Sequence, residues 1–170
     1  LGEIEIVRRS IDARKKPELF SVYLLRLCLP KEERFRKLPN VTLDTRQPYV
    51  LPPRGEARLM SRPVIIGTGP AGLFAGLMLA EAGYQPILLE RGLPAAARKE
   101  IVDAFWAGEP LNPDCNVSFG EGGAGTFSDG KLNTLVKDNA GRNRKVLELF
   151  CRFGADSSIL YEQMPHVGTD

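Results

Sequence analysis

"SRPVIIGTGPAGLFAGLMLAEAGYQPILLERG" occupies residues 61–92 and decides the fold. "VIIG" is a short apolar run that ends on a glycine, the pattern of a buried parallel strand. "AGLFAGLMLAEAG" has the composition of a helix and closes on Gly83 as its C-cap. "QPILLE" is a second apolar run and ends on an acid, Glu90. Strand, turn, helix and strand in that order predict two parallel strands joined through a helix, and so an α/β fold.

Gly67, Gly69 and Gly72 space the turn as G-x-G-x-x-G. Gly67 permits the tight exit from the strand, and Gly69 lets a pyrophosphate approach the backbone. Gly72 lets the helix lie close to the strand, and Gly76 repeats this one turn later. Exposed N–H groups and the helix dipole then favour an anion. Pro70 lacks an N–H and suits the first helical turn, and Ala71 follows it without bulk. Glu90 ends the second strand, where its carboxylate can accept from ribose hydroxyls and repel a 2′-phosphate. Arg91 follows, directed at an adenine, a phosphate or solvent. The bland alternative is a coincidental glycine turn in an α/β protein.

"NVSFGEGGAGTFSDGKL", residues 116–132, is a second glycine-rich stretch. Gly120, Gly122, Gly123, Ala124, Gly125 and Gly130 leave the backbone nearly bare. Bare amides form an anion-binding nest or lie against a planar ring. Thr126, Ser128 and Asp129 add short polar groups, and Lys131 adds a positive charge for a phosphate. A ligand-free lid is the plain alternative; beside a dinucleotide turn, a second contact to the same cofactor is favoured.

Outward from these segments, the chain has 170 residues, 43% hydrophobic and 26% charged, ordinary values for a globular protein. Its net charge of +2 conceals a basic front: residues 1–62 carry 14 Lys/Arg against 8 Asp/Glu. Those charges are interleaved, which reads as a solvated face; nucleic acid is not the expected partner. "LGEIEIV" alternates as a half-buried strand, and "LFSVYLLRLCL" reads as a buried one. "KEERFRKL" suggests a short helix and "VTLDTRQPYVL" a further strand. Residues 1–50 are therefore expected to form a small basic α+β domain. Residues 51–62, with Pro52, Pro53 and Gly55, form a linker, and 63–170 an incomplete Rossmann-like domain. "PAAARKEIVDAFWAG" and "GRNRKVLELFCRFGA" supply two more helices there. Cys28, Cys115 and Cys151 are scattered, without a C-x-x-C, so neither zinc nor a dithiol pair is expected and the cytoplasm is the expected compartment. No stretch has the length of a membrane span. The chain starts at Leu1 and is expected to be a fragment of a longer protein.

Together the two glycine segments carry a resemblance. "VIIGTGPAGLFAGLMLAEAGYQPILLERG" resembles the FAD-binding start of the two-dinucleotide-binding-domain flavoproteins. "FWAGEPLNPDCNVSFGEGGAGTFSDGKL", the helix after it, "PHVGTD" and "RRSIDARKKPELF" resemble a narrower group, the bacterial uncharacterised FAD-dependent, or NAD(FAD)-utilizing, dehydrogenases. The resemblance implies FAD with its ADP half on Gly67–Gly72, Glu90 on the adenosine ribose, and residues 120–131 along the pyrophosphate and flavin, where Lys131 can face a reduced ring. It implies an FAD-dependent oxidoreductase with NAD(P)H as a candidate electron donor and a small-molecule substrate that nothing in the sequence names. Cys115 departs from the group's pattern. No catalytic residue and no oligomeric state follow.

Two other functions fit the same residues. One is an NAD-binding dehydrogenase domain, disfavoured by the long second loop. The other is a non-catalytic flavin-containing module whose basic front binds RNA or protein. Among isolated candidates, His166 and Cys115 read as structural, and Phe105 and Trp106 as core. Arg142, Arg144 and Lys145, at a helix start, read as an exposed face.

Overall fold

The computed structural model describes residues 3–134 and 136–167. Among these the chain mixes three α-helices with two two-stranded sheets. It divides into two compact units, Leu1–Leu51 with Gly130–Asp170, and Pro52–Asp129. The sequence groups 130–170 with the glycine turn and reads 51–62 as a linker; instead 130–170 joins the front segment, and 52–62 joins the unit that holds the glycine turn.

In the first unit, β1 (Ile4–Asp12) pairs antiparallel with β2 (Phe20–Leu27), with a register shift between Ile6 and Arg8. β1 runs on beyond the alternating "LGEIEIV" stretch, because Arg9, Ser10 and Ile11 find partners in Tyr23, Val22 and Ser21. β2 is a strand, as its β-branched and aromatic residues predict, but every residue of it is exposed. A two-stranded ribbon has too little sheet to bury either face. Residues 41–51 form no strand. Instead Asp44 accepts from Arg46 and Arg26, and these two guanidinium groups hold its carboxyl well below the usual range.

α3 (Arg142–Arg152) belongs to the same unit, which explains the altered partition. Arg144 donates to the Leu160 carbonyl at 2.7 Å and to Glu5 and Glu148 at 3.1 and 3.2 Å. The Arg9 backbone N–H donates to Tyr161 and its side chain to Glu162. Leu149 and Ile159 are buried in the same unit. The basic start of α3 thus serves internal packing: Arg144 is ion-paired, and the Arg142 guanidinium lies 5.9 Å from the Tyr49 ring centre.

In the second unit, β3 (Val64–Ile66) and β4 (Ile87–Leu89) are parallel neighbours joined through α1 (Pro70–Glu81). α1 stops where expected: beyond Gly83, the Tyr84 N–H reaches back to the Leu79 carbonyl. The stretch expected to be a linker packs here too, with Arg54 stacked on Tyr84 and Arg62 donating to the Gln85 and Pro86 carbonyls. α2 (Ala95–Trp106) follows, with Arg98 and Val102 buried on one face. Phe105 and Trp106 were expected in the core and are instead exposed; Trp106 meets Phe127 edge-on at 6.0 Å. Among the described residues no helix is long and apolar enough to cross a membrane, and no cluster of His, Cys, Asp or Glu is arranged for a metal.

Candidate functional site

β3 delivers the chain to Gly67, where the backbone turns with φ +94° and its N–H donates to the Leu89 carbonyl. The turn therefore begins as an extension of the parallel pair. Gly69 caps α1, and Pro70 takes the first helical position. A Cβ on Gly72 would lie 2.0 Å from the Gly67 carbonyl oxygen. No side chain is compatible with that approach, so the closeness of helix and turn depends on glycine there. Gly76 is buried, and a Cβ on it would press on Leu88 of β4 at 3.0 Å. At Gly69 a Cβ would meet nothing within 4 Å. The two roles expected of these glycines therefore separate: Gly72 is required by the protein's own backbone, whereas Gly69 faces open space.

Glu90 leaves the end of β4 and turns back to the glycine turn. Its Oε2 accepts from the Thr68 N–H at 2.6 Å and the Thr68 hydroxyl at 2.8 Å, and its Oε1 from the Gly92 N–H at 2.8 Å. Donors aimed at a carboxylate favour its ionised form. The Gly92 and Thr68 amides, then the Thr68 hydroxyl, hold the Glu90 carboxyl down at about 2. The Arg91 amide adds a weaker contribution in the same direction. Thr68 and Gly92 were not singled out from sequence; they are neighbours of motif positions, and only the fold brings them to Glu90.

The second glycine segment folds onto the first. Gly122 donates its N–H to the Thr68 carbonyl at 2.8 Å. A Cβ on Gly123 would lie 3.1 Å from Pro70 Cδ and 3.5 Å from Gly69 Cα. A Cβ on Gly92 would lie 2.5 Å from Gly120 Cα. Gly67, Gly69, Pro70, Ala71, Gly72, Glu90, Gly122 and Gly123 thus form one cluster within the second unit. Ala124, Gly125 and Thr126 continue in a short 3-10 turn, Gly123–Phe127, and the Ser128 N–H closes it on the Gly125 carbonyl. Asp129 ends the same unit. Arg91 is engaged locally, its guanidinium 4.4 Å from the Phe119 ring centre and 3.9 Å from Asp114.

Gly130 and Lys131 belong to the first unit. Lys131 pairs through its backbone with His166, and the Gly130 carbonyl accepts from the Val167 N–H at 2.8 Å. At φ +74°, a Cβ on Gly130 would lie 1.5 Å from the Val167 carbonyl oxygen. This close backbone contact accounts for the glycine. Residues 168–170 of the "PHVGTD" segment lie outside the described residues.

Arg98 on α2 was overlooked in the sequence, and it organises the loop. It is wholly buried. Its Nε donates to the Asn116 carbonyl at 3.0 Å and Nη2 to the Val117 carbonyl at 2.6 Å. Nη1 donates to the carbonyls of Glu121 and Gly123 at 2.8 and 2.7 Å and lies 3.4 Å from the Thr126 hydroxyl. The guanidinium also stacks on Phe127, 4.8 Å from its ring centre. The available signal was its spacing four residues before Val102, which puts a cation on the helix's apolar face. Cys115 is buried beside this loop, its N–H on the Asn112 side chain.

No protein-family model matches the chain. The chain is 40% identical over 173 aligned residues to an uncharacterised protein of Clostridium beijerinckii. That match covers 100% of this chain and 32% of the relative, so the chain spans about a third of the relative's length.

Proposed function

We propose that the second unit is the dinucleotide-binding part of a Rossmann-like domain, that its ligand is FAD, and that the whole protein is a flavin-dependent oxidoreductase of the FAD-dependent dehydrogenase group. The observation that carries this reading is the docking of the 120–127 loop on the Gly67–Gly72 turn, beside the Glu90 carboxylate.

The residues present fit such a ligand. Open space lies off Gly69 at the N-terminus of a 12-residue helix, where backbone amides and the dipole favour a diphosphate. Glu90 is ionised at any pH a cell maintains, since its carboxyl is held at about 2. A ribose hydroxyl can replace the rotatable Thr68 hydroxyl on Oε2. The same fixed charge disfavours a 2′-phosphate. FAD bound here would supply hydride-transfer chemistry, for which NAD(P)H is a candidate donor. The chain's residues bind and orient; none is assigned to the chemical step. An NAD-only domain has no evident use for a second loop on the turn, so FAD is preferred.

The test is the visible absorption spectrum of the purified full-length protein, with the heat-released cofactor identified by chromatography. A flavin spectrum that yields FAD is expected. A folded protein that stays colourless after incubation with FAD would overturn the reading.

A further inference from the structure

Arg98 buries a guanidinium beneath a loop that the dinucleotide reading needs on its upper side. Burying a cation is unfavourable unless its donors are satisfied. Here the acceptors are four carbonyl oxygens and one hydroxyl, all uncharged. Carbonyls of residues 116, 117, 121 and 123 therefore all point inward at a single group. A trans peptide sets each following N–H opposite to its carbonyl. The amides of Val117, Ser118, Gly122 and Ala124 are consequently turned away from Arg98. For Gly122 the outcome is visible, because its N–H lands on the Thr68 carbonyl of the glycine turn.

Resting on the FAD reading above, we propose that Arg98 is the positioning residue of the cofactor cradle. It fixes the orientation of the 116–126 peptides and so seats Gly122 and Gly123 on the Gly67–Pro70 turn, bounding the open space off Gly69 where the diphosphate would lie, with the Gly122 amide committed to Thr68 and the Ser118 amide to the Asn116 side chain. Arginine is required because its planar fork reaches several carbonyls at once; lysine carries the charge with donors on one atom only.

The experiment uses the full-length protein, stripped of flavin, as wild type, Arg98→Lys, Arg98→Met and Val102→Ala. Val102 is a buried neighbour on the same helix face and makes none of the loop contacts described for Arg98. Three quantities are measured: melting temperature, hydrogen exchange of peptides covering 116–127, and FAD affinity by flavin fluorescence quenching. Arg98→Lys is expected to exchange the loop amides faster and to bind FAD at least about tenfold more weakly, the loss that accompanies one charged hydrogen bond. Arg98→Met is expected to be worse than Arg98→Lys. Val102→Ala is expected to melt earlier with FAD affinity unchanged. If Arg98→Met does not fold, Arg98→Lys against Val102→Ala decides.

Unchanged loop exchange in Arg98→Lys overturns the proposal. So does faster exchange with undiminished FAD affinity, or an equal loss of affinity in Val102→Ala. If the wild type itself takes up no FAD, the dinucleotide reading has failed and the cradle role falls with it. That failure is distinguishable because the loop exchange still reports whether Arg98 orders residues 116–127.

Discussion

Glu90→Gln isolates the contact that joins β4 to the glycine turn. The Glu90 carboxyl is held at about 2 against an ordinary 4.5, chiefly by the Gly92 amide and then by Thr68. At 1.36 kcal/mol per pKa unit that difference has a ceiling of about 3 kcal/mol; screening at a partly exposed site brings the working figure to about 1–2 kcal/mol. The sign follows from the depressed folded-state value. The ionised form makes the contacts, so their contribution is complete above pH 4.5 and is lost as pH falls through about 2. Glutamine keeps one acceptor oxygen but sets an NH2 against either the Gly92 N–H or the Thr68 donors. It does not titrate in either state. Urea unfolding of wild type and Glu90→Gln should show the variant about 1–2 kcal/mol less stable at neutral pH, with the two curves converging as pH falls from 4.5 toward 2. Other carboxylates titrate in both proteins and cancel in the difference. A difference that is zero at neutral pH, or constant across the acid range, would refute the assignment of Glu90 as an ionised tie.

Three glycine substitutions separate requirements that look alike in the sequence. Gly72→Ala places a Cβ 2.0 Å from a backbone oxygen and should cost about 2–4 kcal/mol in denaturant unfolding; a near-neutral result would mean the turn is not built this way. Gly69→Ala meets open space at an ordinary φ of −67°, so stability should fall by less than about 1 kcal/mol while FAD affinity drops about tenfold or more. Undiminished FAD affinity in that variant counts against a ligand at Gly69. Gly130→Ala, at φ +74° and 1.5 Å from the Val167 carbonyl oxygen, should also cost about 2–4 kcal/mol, and tolerance of alanine there would sink the structural account of this glycine.

How far the sequence could be read depended on whether a feature is local. The β3–α1–β4 unit was legible because each of its signals lies within a few residues: an apolar run, a glycine at the strand exit, proline at the first helical position, glycine after the last. β2 was legible as a strand but not in its exposure, because β propensity reports the fit to a pleated surface and says nothing about how much sheet surrounds it. The partner of α3 was not legible either. Arg144 meets Glu5 across 139 positions, and no periodicity in either segment announces an ion pair at that range. Glycine itself is ambiguous in sequence. Gly122, Gly123 and Gly130 share one stretch and one composition, yet the first two lie against the Gly67–Gly72 turn while the third admits the Val167 carbonyl in the other unit.

Arg98 shows why the candidate site needed the structure. A Gly-rich loop has few side chains with which to hold its own shape, and each glycine loses more conformational freedom on ordering than any other residue. Something else must collect its carbonyls if its amides are to be presented in one direction. That residue has to lie outside the loop, on a rigid element, with several donors in a plane. An arginine on the buried face of the preceding helix meets all three conditions. The sequence displays the bare backbone and the cation 18 to 28 residues apart, and only the return of the loop over α2 makes them one device. A glycine loop of this kind is better read by asking which buried cation orders it than by counting its glycines.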